Sequence, residues 1–264
     1  MNGVLFQANG GELVINGTIG SEITSSGAIA QASNGGKITV NGGIYNTTSG
    51  NVALSASGEN SELNITDGTF NTIEPAAMAF SGATVNITGG TFTSTDNFAI
   101  GTNGTKSVEK GDWGNNTINI DNCVINAAIT SSGYEAVGIY VANNDIVNIG
   151  PNVVINVHNG CGVCQRAGQV TIRQGAEILL TTDDPEMVGW VGDKKRKLAQ
   201  SGVIYAEIDN YPGATNPGDR PMQLIIEDGV KITGITHSIE ISSEAAEPNV
   251  QIGQGIYNPA YPEE

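Results

Sequence analysis

The stretch ITVNGGIY at residues 38–45 decides the fold of this chain, because it returns as LNITDGTF at 63–70 and VNITGGTF at 85–92. In each copy apolar and polar residues alternate, a turn of Gly, Asn or Asp follows, and a second short strand begins. Alternation with a period of two places apolar side chains on one face of a strand and polar ones on the other. A strand–turn–strand unit that repeats roughly every 25 residues predicts a solenoid.

One apolar position of this unit, the anchor, can be followed along the whole sequence. The anchors are Ile15, Val40, Ile65, Ile87, Ile120, Ile149, Ile172, Ile226 and Ile252. Their spacings are 25, 25, 22, 33, 29, 23, 54 and 26 residues. The long interval before Ile226 predicts either one rung with long insertions or two rungs.

A second series, a small residue followed by an apolar one, keeps step with the anchors. It comprises Gly3-Val4, Ala28-Ile29, Ala53-Leu54, Ala79-Phe80, Ala99-Ile100, Gly138-Ile139, Gly162-Val163 and Gly202-Val203. Two series that recur at matching intervals indicate stacked rungs. Stacking builds continuous apolar ladders and pairs the backbone of each rung with that of the next rung, about 4.8 Å away. The sequence therefore predicts an all-β fold, a single-stranded parallel β-helix of about nine rungs.

The segments GGTF at 89–92 and GGIY at 42–45 resemble rungs of the right-handed parallel β-helix, or pectin-lyase-like, superfold. They are most similar to rungs of phage head-fibre and tail proteins and of bacterial surface β-helices. The resemblance covers nearly the whole chain and implies a right-handed coil. It leaves function open, because this superfold includes lyases, hydrolases, adhesins and virion appendages.

The repeat predicts a β-helix over residues 1–249 with three insertions, at 101–116, 181–200 and 209–222, followed by a last rung and C-terminal cap over 250–264. Recognition on a solenoid usually lies in such insertions. They contain Trp113, Trp190 and Tyr211, aromatic side chains suited to stacking on sugars or to contacting a protein. The alternative is that these side chains fold back and cover the flank of the coil.

The second insertion also contains a run of basic residues. Lys194, Lys195, Arg196 and Lys197 are four of only eleven basic residues in the chain. This run is interpreted either as a solvated loop or as a docking site for an acidic neighbour, such as another copy of the chain.

The overall charge limits the class of partner. The net charge is −16, which argues against nucleic acid, because binding to phosphates requires a basic face. No apolar run of about 18 residues is present, so no membrane-spanning helix is predicted.

The residues that usually carry chemistry are scattered. The acidic residues on the predicted rungs, which do not align on consecutive rungs, are Asp67, Asp121, Glu177, Glu227 and Asp228. His158 and His237 have no evident Ser or Asp partner, and Cys161 and Cys164 are expected in the core. No catalytic residue, metal site or cofactor is therefore predicted.

These observations predict a non-enzymatic structural and adhesive protein, a phage head-fibre, decoration or tail protein located in the virion, with host polysaccharide as a candidate ligand. Two alternatives stay open: a bacterial cell-surface adhesin or extracellular module, and a polysaccharide lyase or hydrolase. Gly3 lies 25 residues before Ala28, so the chain starts within a rung. We expect this first rung to be covered by a virion or surface protein, an upstream segment or, in a homo-oligomer, a second copy.

Overall fold

The computed structural model of the chain describes residues 3–18, 20–102, 114–128, 136–142, 145–191, 194–197, 204–208, 222–243 and 249–258. Within these ranges every regular element is a β-strand. The same ranges contain no helix that is long and apolar enough to cross a membrane. The strands stack in three columns, and the chain passes through columns A, B and C once in each rung.

Each column is a continuous stack of strands. Column A consists of β1 (Val4–Asn9), β4 (Ala28–Ser33), β6 (Leu54–Ser57), β8 (Ala77–Phe80), β11 (Phe98–Thr102), β14 (Ala136–Val141), β17 (Gly160–Gln165), β22 (Ile204–Ile208) and β25 (Ile239–Ser243). Column B consists of β2 (Glu12–Asn16), the first parts of β5 (Lys37–Thr47) and β7 (Glu62–Thr72), β9 (Thr84–Ile87), β12 (Thr117–Ile120), β15 (Ile146–Ile149), β18 (Gln169–Ile172), β23 (Gln223–Ile226) and β26 (Asn249–Ile252). Column C consists of β3 (Glu22–Ser25), the second parts of β5 and β7, β10 (Thr91–Ser94), β13 (Val124–Ala128), β16 (Val154–His158), β19 (Glu177–Thr181), β24 (Lys231–Thr233) and β27 (Ile256–Asn258).

The pairing within the columns is parallel throughout, for example between β1 and β4 and between β12 and β15. Each column contains nine strands in the described part of the chain, so the coil has nine rungs joined by eight stacking steps. This confirms the prediction of an all-β parallel β-helix. The right-handed sense stays a prediction from the resemblance. The last rung comprises β25, β26 and β27 and so begins at Ile239, before the predicted boundary at residue 250.

Column B confirms the anchor series residue by residue. The nine anchors are consecutive partners, beginning with Ile15 beside Val40 and ending with Ile226 beside Ile252. Ile172 pairs directly with Ile226, so the 54-residue interval contains one rung and not two. The turns that follow the anchors therefore lie above one another.

The predicted register of the small–apolar series is wrong in four rungs. The ladder in register through column A is Phe6, Ala30, Leu54, Ala77, Ile100, Ile139, Val163, Ile204 and Ile239. In rungs 1, 2, 4 and 8 the structure places Phe6, Ala30, Ala77 and Ile204 in this ladder. The series in the sequence had predicted Val4, Ile29, Phe80 and Val203 at the same four positions. The reason is that burial in column A strands does not alternate: all six residues of β17 are buried, and consecutive residues are also buried on β4 (Ile29 and Ala30) and β8 (Ala77, Met78 and Ala79).

The inward face of column C forms the bulkiest ladder of the core. Its occupants are Ile23, Tyr45, Phe70, Phe92, Ile125, Ile155, Ile178, Ile232 and Tyr257. The rings of Tyr45 and Phe70 stack with centroids 5.0 Å apart, and those of Phe70 and Phe92 with centroids 4.8 Å apart. This separation equals the stacking distance of the rungs, so the backbone holds the rings in contact.

The insertions interrupt the coil at its corners. Residues 103–113 of the first insertion and 209–221 of the third lie outside the described residues. The second contains a β-hairpin of β20 (Val188–Val191) and β21 (Lys194–Lys197), paired antiparallel. The interpretation of Lys194, Lys195, Arg196 and Lys197 as a loop is therefore wrong, because these residues form a strand; Lys195 is exposed to solvent, as that interpretation expected.

Candidate functional site

Of the aromatic residues singled out from the sequence, the structure describes only Trp190. Trp113 and Tyr211 lie outside the described residues. Trp190 lies on β20, where its backbone pairs with Lys195 on β21. Their predicted role in recognition stays a prediction.

The basic strand β21 presents at least part of its charge to solvent. Lys195 is exposed, and Lys197 forms an ion pair with Glu186 at the base of the hairpin. Lys194 and Arg196 pair through the backbone with Val191 and Gly189. The hairpin therefore places a basic strand on an otherwise acidic protein.

A second candidate site lies along the B–C corner, defined as the turns that connect column B to column C. Three concavities follow this corner from one end of the coil to the other. The first, of about 300 Å³, lies between Gly17 and Thr69; the middle one, of about 330 Å³, between Asn86 and Arg173; the third, of about 530 Å³, between Gln174 and Gly253. Together they outline a groove parallel to the axis of the solenoid.

Glycine makes this corner concave. A Cβ atom at Gly17 would lie 2.3 Å from the carbonyl oxygen of Gly42, and one at Gly89 would lie 2.3 Å from that of Thr66. No side chain fits at these points, because the turns of successive rungs pack backbone against backbone. These glycine positions therefore stay open, and the side chains of neighbouring residues line the groove.

An amide ladder forms one wall of the middle concavity. The Nδ2 atom of Asn86 donates to Asn64, that of Asn119 to Asn86, and that of Asn148 to Asn119, each over 2.9 Å. An Asn amide has two N–H donors and one carbonyl acceptor, so Asn119 and Asn148 keep one N–H each for a ligand. The ladder ends at Asn148, whose Oδ1 accepts no hydrogen bond from the residues that the structure describes.

Charged residues of opposite sign lie beside this ladder. The residue after each anchor occupies the B–C corner, and in rungs 5 to 8 these residues are Asp121, Gly150, Arg173 and Glu227. Asp121 and Arg173 both line the middle concavity. The Asp121 Oδ1 atom is shielded from solvent and has no hydrogen-bond partner, and Arg173 is exposed without an ion pair in the described part of the chain. The Arg173 side chain is thus available to a ligand, whereas the Asp121 Oδ1 atom is closed to one in this arrangement.

Asp121 also affects its neighbour across the turn. Burial raises the pKa of the Cys123 thiol to about 12, and the negative charge of Asp121 adds to the rise. This thiol is therefore protonated at neutral pH and has no nucleophilic character there.

Comparison of the chain with models of known protein families, with functionally curated proteins and with solved structures found no significant match. The case for a function therefore rests on the geometry of the residues themselves.

The prediction that His158 lacks a partner is wrong. Its Nδ1 lies 3.0 Å from the Thr181 hydroxyl oxygen, and its Nε2 lies 3.3 Å from a carboxylate oxygen of Asp183. Rung stacking places Thr181 beside His158, and the start of the second insertion brings Asp183 back over the ring. The Asp183 side chain is 94% exposed, so the group is open to water. His237 is exposed in the turn between β24 and β25.

The cysteines lie in the core. Cys161 and Cys164 are fully buried on β17, and Cys161 pairs with Val137 of the preceding rung. This confirms that Cys161 is a core residue. Within the described ranges, no three His, Cys, Asp or Glu side chains converge in a way that could hold a metal ion.

Sequence reasoning missed Arg173 and the amide ladder. The signals were present: Arg173 directly follows the anchor Ile172, and the asparagines alternate with buried residues in β9, β12 and β15. Arg173 is the one basic residue that directly follows an anchor. Of the remaining acids on the rungs, Glu177 pairs with Lys231 over 3.2 Å, whereas Asp67 lines the first concavity of the corner and Glu227 and Asp228 line the third.

Proposed function

We propose that this chain is a non-enzymatic structural and adhesive β-helix, a phage head-fibre, decoration or tail protein that contacts host polysaccharide through the middle concavity of the B–C corner. The observation that carries the proposal is the convergence, in one open groove, of the Asn86–Asn119–Asn148 ladder with Arg173, which is exposed and makes no ion pair with the residues that the structure describes. The rod-shaped fold and the resemblance to virion β-helices favour the virion over the other settings.

The groove suits a linear polymer better than a small compact ligand. It is open, it follows the axis of the coil, and its amides recur at each rung, about 4.8 Å apart. Sugar hydroxyls both donate and accept hydrogen bonds. They can therefore accept from the remaining amide N–H groups of Asn119 and Asn148 and donate to the Asn148 Oδ1 atom. The Arg173 guanidinium, with its planar set of donors, suits adjacent hydroxyls or an acidic group on the chain.

Replacing Arg173 with Gln is expected to weaken polysaccharide binding by about 10-fold to 100-fold, because one charge-assisted hydrogen-bonding group is lost. The measurement is binding to a panel of purified bacterial surface polysaccharides. The matched control is Lys37→Gln, which removes another partly exposed cation, located in rung 2 away from the corner. An equal loss in both variants, or no binding to any polysaccharide by the unmodified chain, would contradict the proposal.

A lyase or hydrolase is the second candidate, because Asp121 and Arg173 place a carboxylate and a cation in the same concavity. We expect no depolymerisation in the same panel, since no second carboxylate lies beside Asp121 among the lining residues. Release of reducing ends that disappears in Asp121→Asn would instead establish the enzyme. A bacterial surface adhesin would use the same groove, and copurification with assembled phage particles distinguishes the two.

The first rung is proposed as the contact with other virion or surface proteins. In the described residues β1, β2 and β3 have strand partners on one side only, and Leu5 and Val14 are 53% and 55% exposed. Amide hydrogens of residues 4–16 are expected to exchange faster in the isolated chain than in the native assembly, because unpaired N–H groups are open to water. Equally strong protection from hydrogen exchange in the isolated chain and in the assembly would contradict the assignment of the first rung as a contact surface.

A further inference from the structure

Exposed apolar side chains concentrate at one place on the flank of the coil. Among the described residues six large apolar side chains are exposed, and Leu5, Val14 and Ile256 belong to the first and last rungs. The other three are Leu179, Val188 and Ile235, with 38%, 40% and 37% exposure. They lie in rungs 7 and 8, at or beside the C–A corner, defined as the turns that connect column C to the next strand of column A.

The basic strand β21 emerges from the same corner. The acidic groups at its base are engaged: Asp183 with His158, Asp184 with the backbone N–H of Glu186, and Glu186 with Lys197. Lys195 is exposed and makes no ion pair within the described ranges. Strand β21 has no strand partner there besides β20. Leu179, Val188, Ile235 and β21 thus place apolar and basic side chains in the same region of rungs 7 and 8, called here the hairpin patch.

The complementary charge lies on the same corner, three to four rungs away. Glu74 and Asp96 occupy the C–A turns of rungs 3 and 4, and Asp96 is exposed. The Glu74 carboxylate accepts a hydrogen bond of 3.0 Å from Asn97, which holds it in the turn. The C–A turns of rungs 1 to 4 contain no Lys or Arg, so this part of the corner is purely acidic.

We propose that two copies of the chain associate through their C–A corners about a twofold axis, with the hairpin patch of each copy covering Glu74 and Asp96 of the other. In each copy the hairpin patch and the acidic turns with Glu74 and Asp96 lie on the same corner, about 15–20 Å apart at the rung spacing. When the two copies lie antiparallel and the twofold axis passes near rung 5, the hairpin patch of each copy faces the acidic turns of the other. The charges select this register, and Val188 and Ile235 supply the apolar contact. This inference is independent of the proposed glycan groove on the B–C corner.

The proposal is tested by sedimentation velocity of the full chain over a range of concentrations. We expect a monomer–dimer equilibrium at low salt that weakens at about 0.5 M salt, because exposed charge pairs are screened. The variant K194E/K195E/R196E/K197E is expected to weaken dimerisation by about 100-fold or more, as is E74K/D96K, because each places like charges opposite one another. Combining the two sets of substitutions is expected to restore the dimer.

The control is E12K/E59K, which makes the same charge change at two exposed positions at or beside the A–B corner, defined as the turns that connect column A to column B, and should leave the dimer intact. If the four-residue reversal disturbs the hairpin, Lys195→Glu alone, at an exposed position, should still weaken dimerisation. A strictly monomeric unmodified chain at low salt would overturn the proposal. Failure of the combined variant to dimerise, or equal weakening by E12K/E59K, would do the same.

Discussion

Replacing Phe70 with Ala is expected to lower the free energy of unfolding by about 3–5 kcal/mol. Phe70 is fully buried and is the middle ring of the stack formed with Tyr45 and Phe92. The backbone hydrogen bonds between rungs fix the spacing of the neighbouring rings, so they cannot move together to close the space. The variant therefore loses both the buried apolar surface and the stacking contacts on two sides.

Urea unfolding followed by circular dichroism measures this loss. The control is Asn71→Ala, at the next, exposed position of the same strand, where the side chain donates one hydrogen bond to Asn46. That change should cost about 1 kcal/mol or less. Because each rung contacts only its neighbours, Phe70→Ala is also expected to unfold rungs 2 to 4 before the rest of the coil. A loss no larger than that of the control would show that the stack contributes little.

Replacing Gly160 with Ala is expected to cost about 3 kcal/mol, although only one methyl group is added. The new Cβ atom would lie 1.7 Å from the carbonyl oxygen of Ala136 and 2.6 Å from its carbonyl carbon, so the two rungs would have to separate. The neighbour is backbone, which cannot rotate away as a side chain would. The expected decrease in the free energy of unfolding therefore comes from steric overlap between the two rungs.

Thermal unfolding of the Gly160→Ala variant provides the measurement, with Gly11→Ala as the matched control. No atom lies within 4 Å of a Cβ built at Gly11, so that change should alter stability by no more than about 1 kcal/mol and raise it if anything. A small effect at Gly160 would show that β14 and β17 can move apart at low cost.

The two series found in the sequence differ in how well they predicted the structure, and the difference has a physical cause. In column B, Val, Ile and Leu alternate with Asn and Thr, and only one register places every anchor in the core, as Ile87 beside Ile120 illustrates. In column A, small residues such as Ala30 and Ala77 occupy positions that tolerate either face. A shift by one residue there costs little apolar burial, so the pattern does not specify the register.

The sequence by itself determined the fold and the position of the B–C corner, because these depend on local alternation and on glycines at turns. Only the tertiary structure decided that the 54-residue interval before Ile226 contains one rung, and which polar residues meet. Asp121 and Arg173 are 52 residues apart in the chain but two rungs apart in space, and His158 meets Asp183 only because an insertion turns back over its ring. Such contacts depend on the path of loops between rungs, which no periodic pattern encodes. A solenoid thus specifies its core from neighbour to neighbour, whereas its sites depend on residues that the repeat itself does not constrain.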